Sequence, residues 1–252
     1  MPIHIHPTAP LAPRALLPGD PGRALMLAQH LTSAPKMFNH NRGLWGYTGI
    51  AADGEPLTIQ STGMGGPSAA IVLHELCDLG LEQAIRVGSC GALADDLALG
   101  DLVVADAALA FDGTSRALGA GARVAADAGI VEALCAAAGA GARVGVVATS
   151  DLFYDPDSAR ARAWVRKGAI AVEMEAAALL RVAELRGVRA GCLLAVTDVF
   201  GAGGDRHRLD DEAIVRAGEG LGEVAAAALT ACASPAGRFA APAAVPEPPG
   251  RG

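Results

Sequence analysis

The sequence predicts a single α/β domain with a mixed central β-sheet flanked by helices. Short apolar runs of strand length recur along the chain, and longer helix-like segments separate several of them. Half of the 252 residues are apolar, which is ample for one large core. In chain order, "RALLPGD" (14–20) reads as a strand and 22–31 as a helix. "LTIQSTG" (57–63) is the next strand, followed by a helix over 67–79 whose Pro67 suits a first helical position, where no backbone N–H is needed. "AIRVGSCGA" (84–92) and "DLVVADA" (101–107) are strands and 129–139 a helix. "RVGVVATSD" (143–151), "AIAVEME" (169–175) and "GCLLAVTD" (191–198) complete the strands, with helices over 157–167, 174–186 and 211–231. The domain is assigned to residues 1–232, because "ASPAGRFAAPAAVPEPPGRG" (233–252) has no apolar periodicity and reads as a disordered tail. Two "GAGAR" stretches, 119–123 and 139–143, reflect Ala/Gly bias and carry no chemistry.

Charge and cysteine usage narrow the function. A net charge of −7 with only two lysines argues against a groove for the nucleic-acid backbone. The five cysteines, Cys77, Cys90, Cys135, Cys192 and Cys232, are odd in number and lack CxxC spacing, so neither a disulfide framework nor a zinc site is indicated. No secretion signal is evident, and no apolar run approaches the roughly 18 residues of a membrane span. A cytoplasmic protein without membrane association is expected. "HELCD" (74–78) fails as a zinc motif because Asp78 stands where the second histidine belongs. The histidines of "HIH" (4–6) lie near a chain end, where side chains are commonly mobile.

Polar residues gather in turns that follow the apolar runs: "PGDPGR" (18–23), "TGMGGP" (62–67), "RVGSCGA" (86–92), "TSDLFY" (149–154), "EMEA" (173–176) and "TD" (197–198). In open α/β sheets ligands bind beyond the carboxyl ends of the strands, so these turns are expected to meet around one pocket. Glu173 and Glu175 sit in an otherwise apolar run, where an unpartnered carboxylate is costly. Either the start of a helix accommodates Glu173, or both face the pocket. The glycines let backbone N–H groups approach an anion. Arg23, Arg42 and Arg86, each beside a glycine turn, make an oxyanion site plausible. Neither GxGxxG nor GxxxxGK occurs, so no dinucleotide or nucleoside triphosphate is signalled.

Together, "LLPGDPGRA", "NRGLWGYTG", "TGMGGPSAAI", "IRVGSCGAL", "SDLFY", "VEMEAAAL" and "VTD" resemble the bacterial, hexameric type of purine nucleoside phosphorylase, from about His4 to Cys232. The resemblance implies reversible phosphorolysis of a purine nucleoside to the free base and ribose 1-phosphate. Phosphate is a co-substrate and no cofactor is implied. Gly19, Arg23, Arg86 and Ser89 match phosphate-binding positions of the family. Arg42 and His4 match residues that reach the neighbouring subunit's site, implying a homo-oligomer, a hexamer built as a trimer of dimers. Glu175 matches the glutamate that binds the ribose hydroxyls, Met174 packs on the sugar, and Glu173 belongs to the same motif. Phe153 stacks near the base, and Cys90 with Ser89 lines the passage between sugar and base.

Asp198 matches the acid that protonates the purine at N7. An ordinary aspartate has a pKa of about 3.9, so general acid catalysis requires the pocket to raise it. Relatives assist this aspartate with a following arginine. Here Arg206, Arg208 and Arg216 are candidates, none at an alignable spacing. The N-terminus is about one residue short, so His6 could stand in for His4. Three other readings stay open: a uridine phosphorylase, although the Gln and Arg insertion for pyrimidine carbonyls is absent; a methylthioadenosine-type nucleosidase, which would not need the phosphate arginines; and a non-catalytic nucleoside-binding protein on the same scaffold.

Overall fold

The computed structural model describes residues 2–200 and 206–232; the tail assigned to 233–252 lies outside the described residues. The strands are β1 (Arg14–Pro18), β2 (Thr32–Asn39), β3 (Gly46–Ala51), β4 (Pro56–Gln60), β5 (Gln83–Ala92), β6 (Leu102–Ala110), β7 (Arg123–Ala125), β8 (Ala142–Thr149), β9 (Ala169–Glu173), β10 (Arg189–Phe200) and β11 (Arg206–Arg208). The helices are α1 (Pro21–Leu31), α2 (Gly66–Asp78), α3 (Gly113–Ala117), α4 (Ala128–Ala138), α5 (Ser158–Arg166), α6 (Ala176–Arg186) and α7 (Asp211–Ala231). Every expected strand and helix is present. The sequence reading passed over β2, β3, β7, β11 and α3.

All eleven strands belong to one mixed sheet in the order β11-β10-β6-β8-β9-β5-β1-β4-β3-β2, with β7 beside β6. The pairs β1–β4, β1–β5, β5–β10, β6–β8 and β8–β9 are parallel, whereas β2–β3, β3–β4, β5–β9, β6–β7, β6–β10 and β10–β11 are antiparallel. Because β10 pairs with β5 as well as with β6, the strands β5, β9, β8, β6 and β10 close into a ring. The remaining strands of β1, β4, β3 and β2 extend from it as an open wing.

Side chains alternate across this sheet with the period of two that a pleated strand dictates. On β10, Cys192, Leu194 and Val196 enter the core shared with α2 and α6, while Leu193 and Ala195 enter the core shared with α1, α4 and α7. On β5, Ile85 and Val87 belong to the second core and Ala84 to the first. The intervening Arg86 is 4% exposed, so the same alternation carries a guanidinium into the interior. Helix α5 buries Trp164 in a smaller cluster with Leu109, Val146, Ala148 and Ala169.

The N-terminal segment, expected to be mobile, is held by a buried carboxylate. Glu75 on α2 accepts the backbone N–H groups of Ile3, His4 and Ile5 at 2.7–3.0 Å, and its Oε1 lies 2.7 Å from His4 Nδ1. This explains the glutamate of "HELCD" without a metal. Burial alone would raise the Glu75 pKa, but His4 and the three N–H groups outweigh it and bring it to about 2, from an ordinary 4.5. A depressed folded-state pKa stabilises above the unfolded value, and the contribution fades as the group protonates. Stability on the order of 3 kcal/mol is therefore expected to be present above about pH 4.5 and to be lost as pH falls toward 2. Glu75→Gln should flatten that part of a melting-temperature scan; an unchanged acid limb would show that the clamp contributes nothing.

Candidate active site

The parallel strands β1, β4, β5 and β10 deliver their carboxyl ends to one edge of the sheet. The ends of β8 and β9 join them through the ring, where Gly91 and Ala92 of β5 face Val172 and Ala171 of β9. Four of the polar segments noted above, 18–23, 62–67, 149–154 and 173–176, leave from these ends, whereas "RVGSCGA" (86–92) lies inside β5 and "TD" (197–198) inside β10.

Arg86 is the centre of the first group. Its Nε donates to Glu173 Oε2 at 3.0 Å and its Nη2 to Glu175 Oε2. The second oxygen of Glu175 accepts the Gly65 N–H at 2.6 Å, from a turn in which Gly63 and Gly65 have φ of +73° and +84°, values that side chains rarely adopt. Glu173 accepts four donors: Arg86 Nε, the Thr149 hydroxyl at 2.6 Å, and the N–H groups of Glu175 and Ala176 at 2.8–2.9 Å. Burial raises the Glu173 pKa, Arg86 opposes the rise and Glu175 adds to it. Since every neighbour is a donor, the carboxylate form is the one the geometry fits. Burial also works against the charge of Arg86, but Glu175 and Glu173 more than compensate and its pKa rises.

Of the two settings the sequence left open for Glu173, the structure shows the helix start rather than the pocket face. Glu173 meets the first N–H groups of α6, and it pairs with Arg86. Its side chain is 1% exposed, so it lies beneath the pocket rather than on its surface.

One nitrogen of Arg86 has no partner among the described residues. Nη1 is buried and unsatisfied, about 4.0 Å from where a Cβ on Gly19 would stand. A buried donor without an acceptor costs roughly 1–3 kcal/mol, more when charged, unless a ligand supplies the acceptor. Arg23 lies near enough for the two cations to repel. Burial first, then the charge of Arg86, lowers the Arg23 pKa, with Asp20 opposing. Asp20 caps α1 by accepting the Arg23 N–H at 2.7 Å, and Pro21 opens the helix. The half-buried Ser89 lies on the same strand, three residues beyond Arg86.

Asp198 anchors the second group. Its side chain is 6% exposed. Oδ1 accepts from Arg206 Nε at 2.8 Å and from Arg208 Nη1 at 3.3 Å, while Oδ2 accepts the Thr197 hydroxyl at 2.8 Å. Strand β11 pairs antiparallel with the end of β10, setting Arg208 opposite Asp198. The Arg206 guanidinium also lies over the Phe153 ring, 4.4 Å from its centroid. Arg216 pairs instead with Glu212 at 3.6 Å. The spacing of Arg206 and Arg208 alone could not reveal this, because it is the pairing of β11 with β10 that brings them back.

Cys90 lies between the two groups. Burial raises its thiol pKa, and the charges of Glu173, Arg86 and Asp198 all act on it. The Thr197 hydroxyl reaches the Cys90 carbonyl at 3.4 Å. Met174 lines an adjoining cavity of about 730 Å³ with Met64, Gly65, Pro67 and Asp151.

His4 and Arg42 are not joined to either group by any hydrogen bond or ion pair among the described residues. His4 stays on Glu75, and His6 meets the Ile3 carbonyl at 3.0 Å. Arg42 is exposed at a φ of +57° that non-glycine residues seldom take. Thr149 and the Gly65 N–H were missed in sequence; only their position in turns after strands marked them.

The family model described as "Phosphorylase superfamily" matches residues 13–233. Among curated relatives, a DeoD-type purine nucleoside phosphorylase of Alkaliphilus metalliredigens is 38% identical over 210 residues, covering 77% of this chain and 85% of the relative. Proteins of the same name from Geobacillus kaustophilus and Jannaschia sp. are 38% and 37% identical, covering 79% and 85% of this chain and 86% and 91% of their own lengths. The motifs that form the Arg86 and Asp198 groups all fall inside the matched span, and the chain belongs to the phosphorylase superfamily.

Proposed function

We propose that the protein is a purine nucleoside phosphorylase, cleaving a purine nucleoside with inorganic phosphate to the free base and a pentose 1-phosphate. The observation that carries this reading is the buried, unsatisfied Arg86 Nη1 beside Gly19, with Arg23 close by. Two cations in mutual repulsion are a prepared place for a phosphate dianion, and a hydrolase would have no use for it. The names of the relatives agree with this chemistry.

Gly19, Arg23, Arg86 and Ser89 then hold phosphate against the anomeric carbon, and Glu175 takes the ribose hydroxyls with Met174 against the sugar. Glu173 acts as a positioning residue that fixes Arg86. As phosphate oxygen bonds to the anomeric carbon, the glycosidic C–N bond breaks and its electron pair passes to the base. Asp198 relays a proton taken from solvent to N7, which neutralises the base. Arg206 occupies both Asp198 Oδ1 and the face of Phe153. A purine that stacks on Phe153 must displace Arg206, which opens Asp198 to the ring. Cys90 lines the passage between the two ends.

A homo-oligomer, a hexamer with shared sites, belongs to the same proposal. It is supported by exposed apolar side chains beside the site, Met64, Leu152 and Tyr154, and by an exposed Arg42 with no ion pair among the described residues. His4 would reach the neighbouring site alongside it. We place the protein in the cytoplasm, consistent with five free thiols.

Product chromatography tests the reading. Adenosine, inosine, guanosine, uridine and methylthioadenosine are each incubated with and without phosphate, and the same preparation is sized by light scattering. Phosphate-dependent release of a purine with formation of the sugar phosphate is expected, from a particle larger than a monomer. Uracil release, or cleavage without phosphate, would overturn the assignment.

A further inference from the structure

Most arginines on this surface are paired: Arg143 with Asp96, Arg160 with Asp155, Arg181 with Glu184, Arg186 with Asp78, Arg189 with Asp127 and Arg216 with Glu212. Among the described residues a minority of the cations, Arg23, Arg42 and Lys36 among them, form no ion pair. Three others of that minority, Arg116, Arg123 and Lys167, line a single cavity of about 630 Å³, and none of its lining residues is acidic.

These cations come from three elements: Arg116 from α3, Arg123 from β7, and Lys167 from the end of α5. Arg116 is fixed in place. Its Nε donates to the Ala110 carbonyl at 2.8 Å, and its guanidinium lies 5.7 Å from the centroid of Phe111, a ring that packs against Trp164. No hydrogen bond of the described residues uses its terminal nitrogens. Leu109, Ala110 and Phe111 give the cavity an apolar wall. Like charges around one cavity repel, and an anion placed among them converts that repulsion into attraction. The volume falls within the range of roughly 300–1,000 Å³ typical of small-molecule sites.

We propose that this cavity is a second anion site, separate from the Arg23–Arg86 pocket, for a small phosphate ester bearing two or more negative charges. Arg116, Arg123 and Lys167 hold the phosphate, and the uncharged part rests on Ala110 and Phe111. The ester is a sugar phosphate or a nucleotide, and the experiment separates the two.

The full chain carrying Arg23→Ala, which disables the Arg23–Arg86 pocket, is titrated by calorimetry in phosphate-free buffer with ribose 1-phosphate and, separately, with ADP. Saturable binding of either probe, one per chain, is expected. It should weaken about tenfold or more in the double variant Arg123→Ala/Lys167→Ala made in that chain and weaken with added salt. Both side chains are exposed, so the variant should keep its melting temperature. The probe that binds identifies the source of the ester. Absence of binding by both probes, or binding that the double variant leaves unchanged, would overturn the proposal.

Discussion

Arg86→Ala is expected to cost about 3–5 kcal/mol of stability, because it leaves the Glu173 and Glu175 carboxylates buried without their cation. For a chain of this size each kcal/mol moves the melting temperature by roughly 2–4 °C, so a fall of about 10 °C is the order to look for. Loss of phosphate use should accompany it, yet a damaged fold would produce that as well. Arg23→Ala separates the two effects. Arg23 makes no ion pair with either glutamate, and its removal relieves the repulsion with Arg86. Its melting temperature should hold or rise while the KM for phosphate increases at least tenfold, the range for a lost charge-assisted hydrogen bond. An unaltered phosphate KM in Arg23→Ala would remove the anion site from the proposed mechanism. An unaltered melting temperature in Arg86→Ala would deny the ion pairs their structural weight.

Asp198→Asn should reduce turnover of adenosine by about 10²–10⁴-fold, the usual worth of a positioned general acid, and leave phosphate binding intact. An asparagine oxygen can still accept from Arg206 and Arg208, and the Arg86 group is separate from it. The variant therefore removes the transferable proton while keeping the arrangement around it. Steady-state kinetics would read a fall in kcat at constant phosphate KM. Turnover equal to the parent on adenosine would reject Asp198 as the acid.

The large elements were legible because each buries a face, and burial writes a period into the sequence. Strand β10 alternates cleanly between two cores. Strands β2 and β3 were not legible. The first, "TSAPKMFN", lies at the outer edge of the wing with most of its residues exposed and a proline inside it. The second carries glycines where a side chain cannot fit: a Cβ at Gly46 would stand 2.0 Å from Gln60 Oε1, and one at Gly49 2.4 Å from Thr32 Oγ1. What looked like turn residues are close contacts between strands. Strands β7 and β11 have three residues each, too few to show alternation. At the site, glycine turns and an arginine inside an apolar strand announced the Arg86 group. The arginines on Asp198 are set by the register of β11 against β10, which three exposed residues do not encode.

The closure of β5 onto β10 sets a timetable for synthesis. Nearly a hundred residues separate the end of β5 at Ala92 from the start of β10 at Arg189. At ~5–20 residues per second, a ribosome needs roughly 5–20 s to supply them. During that interval β1 can pair with one edge of β5 while the other edge waits, with its apolar side chains already emerged. The nascent chain is thus most open to wrong pairing midway through translation, and chaperone demand should peak there.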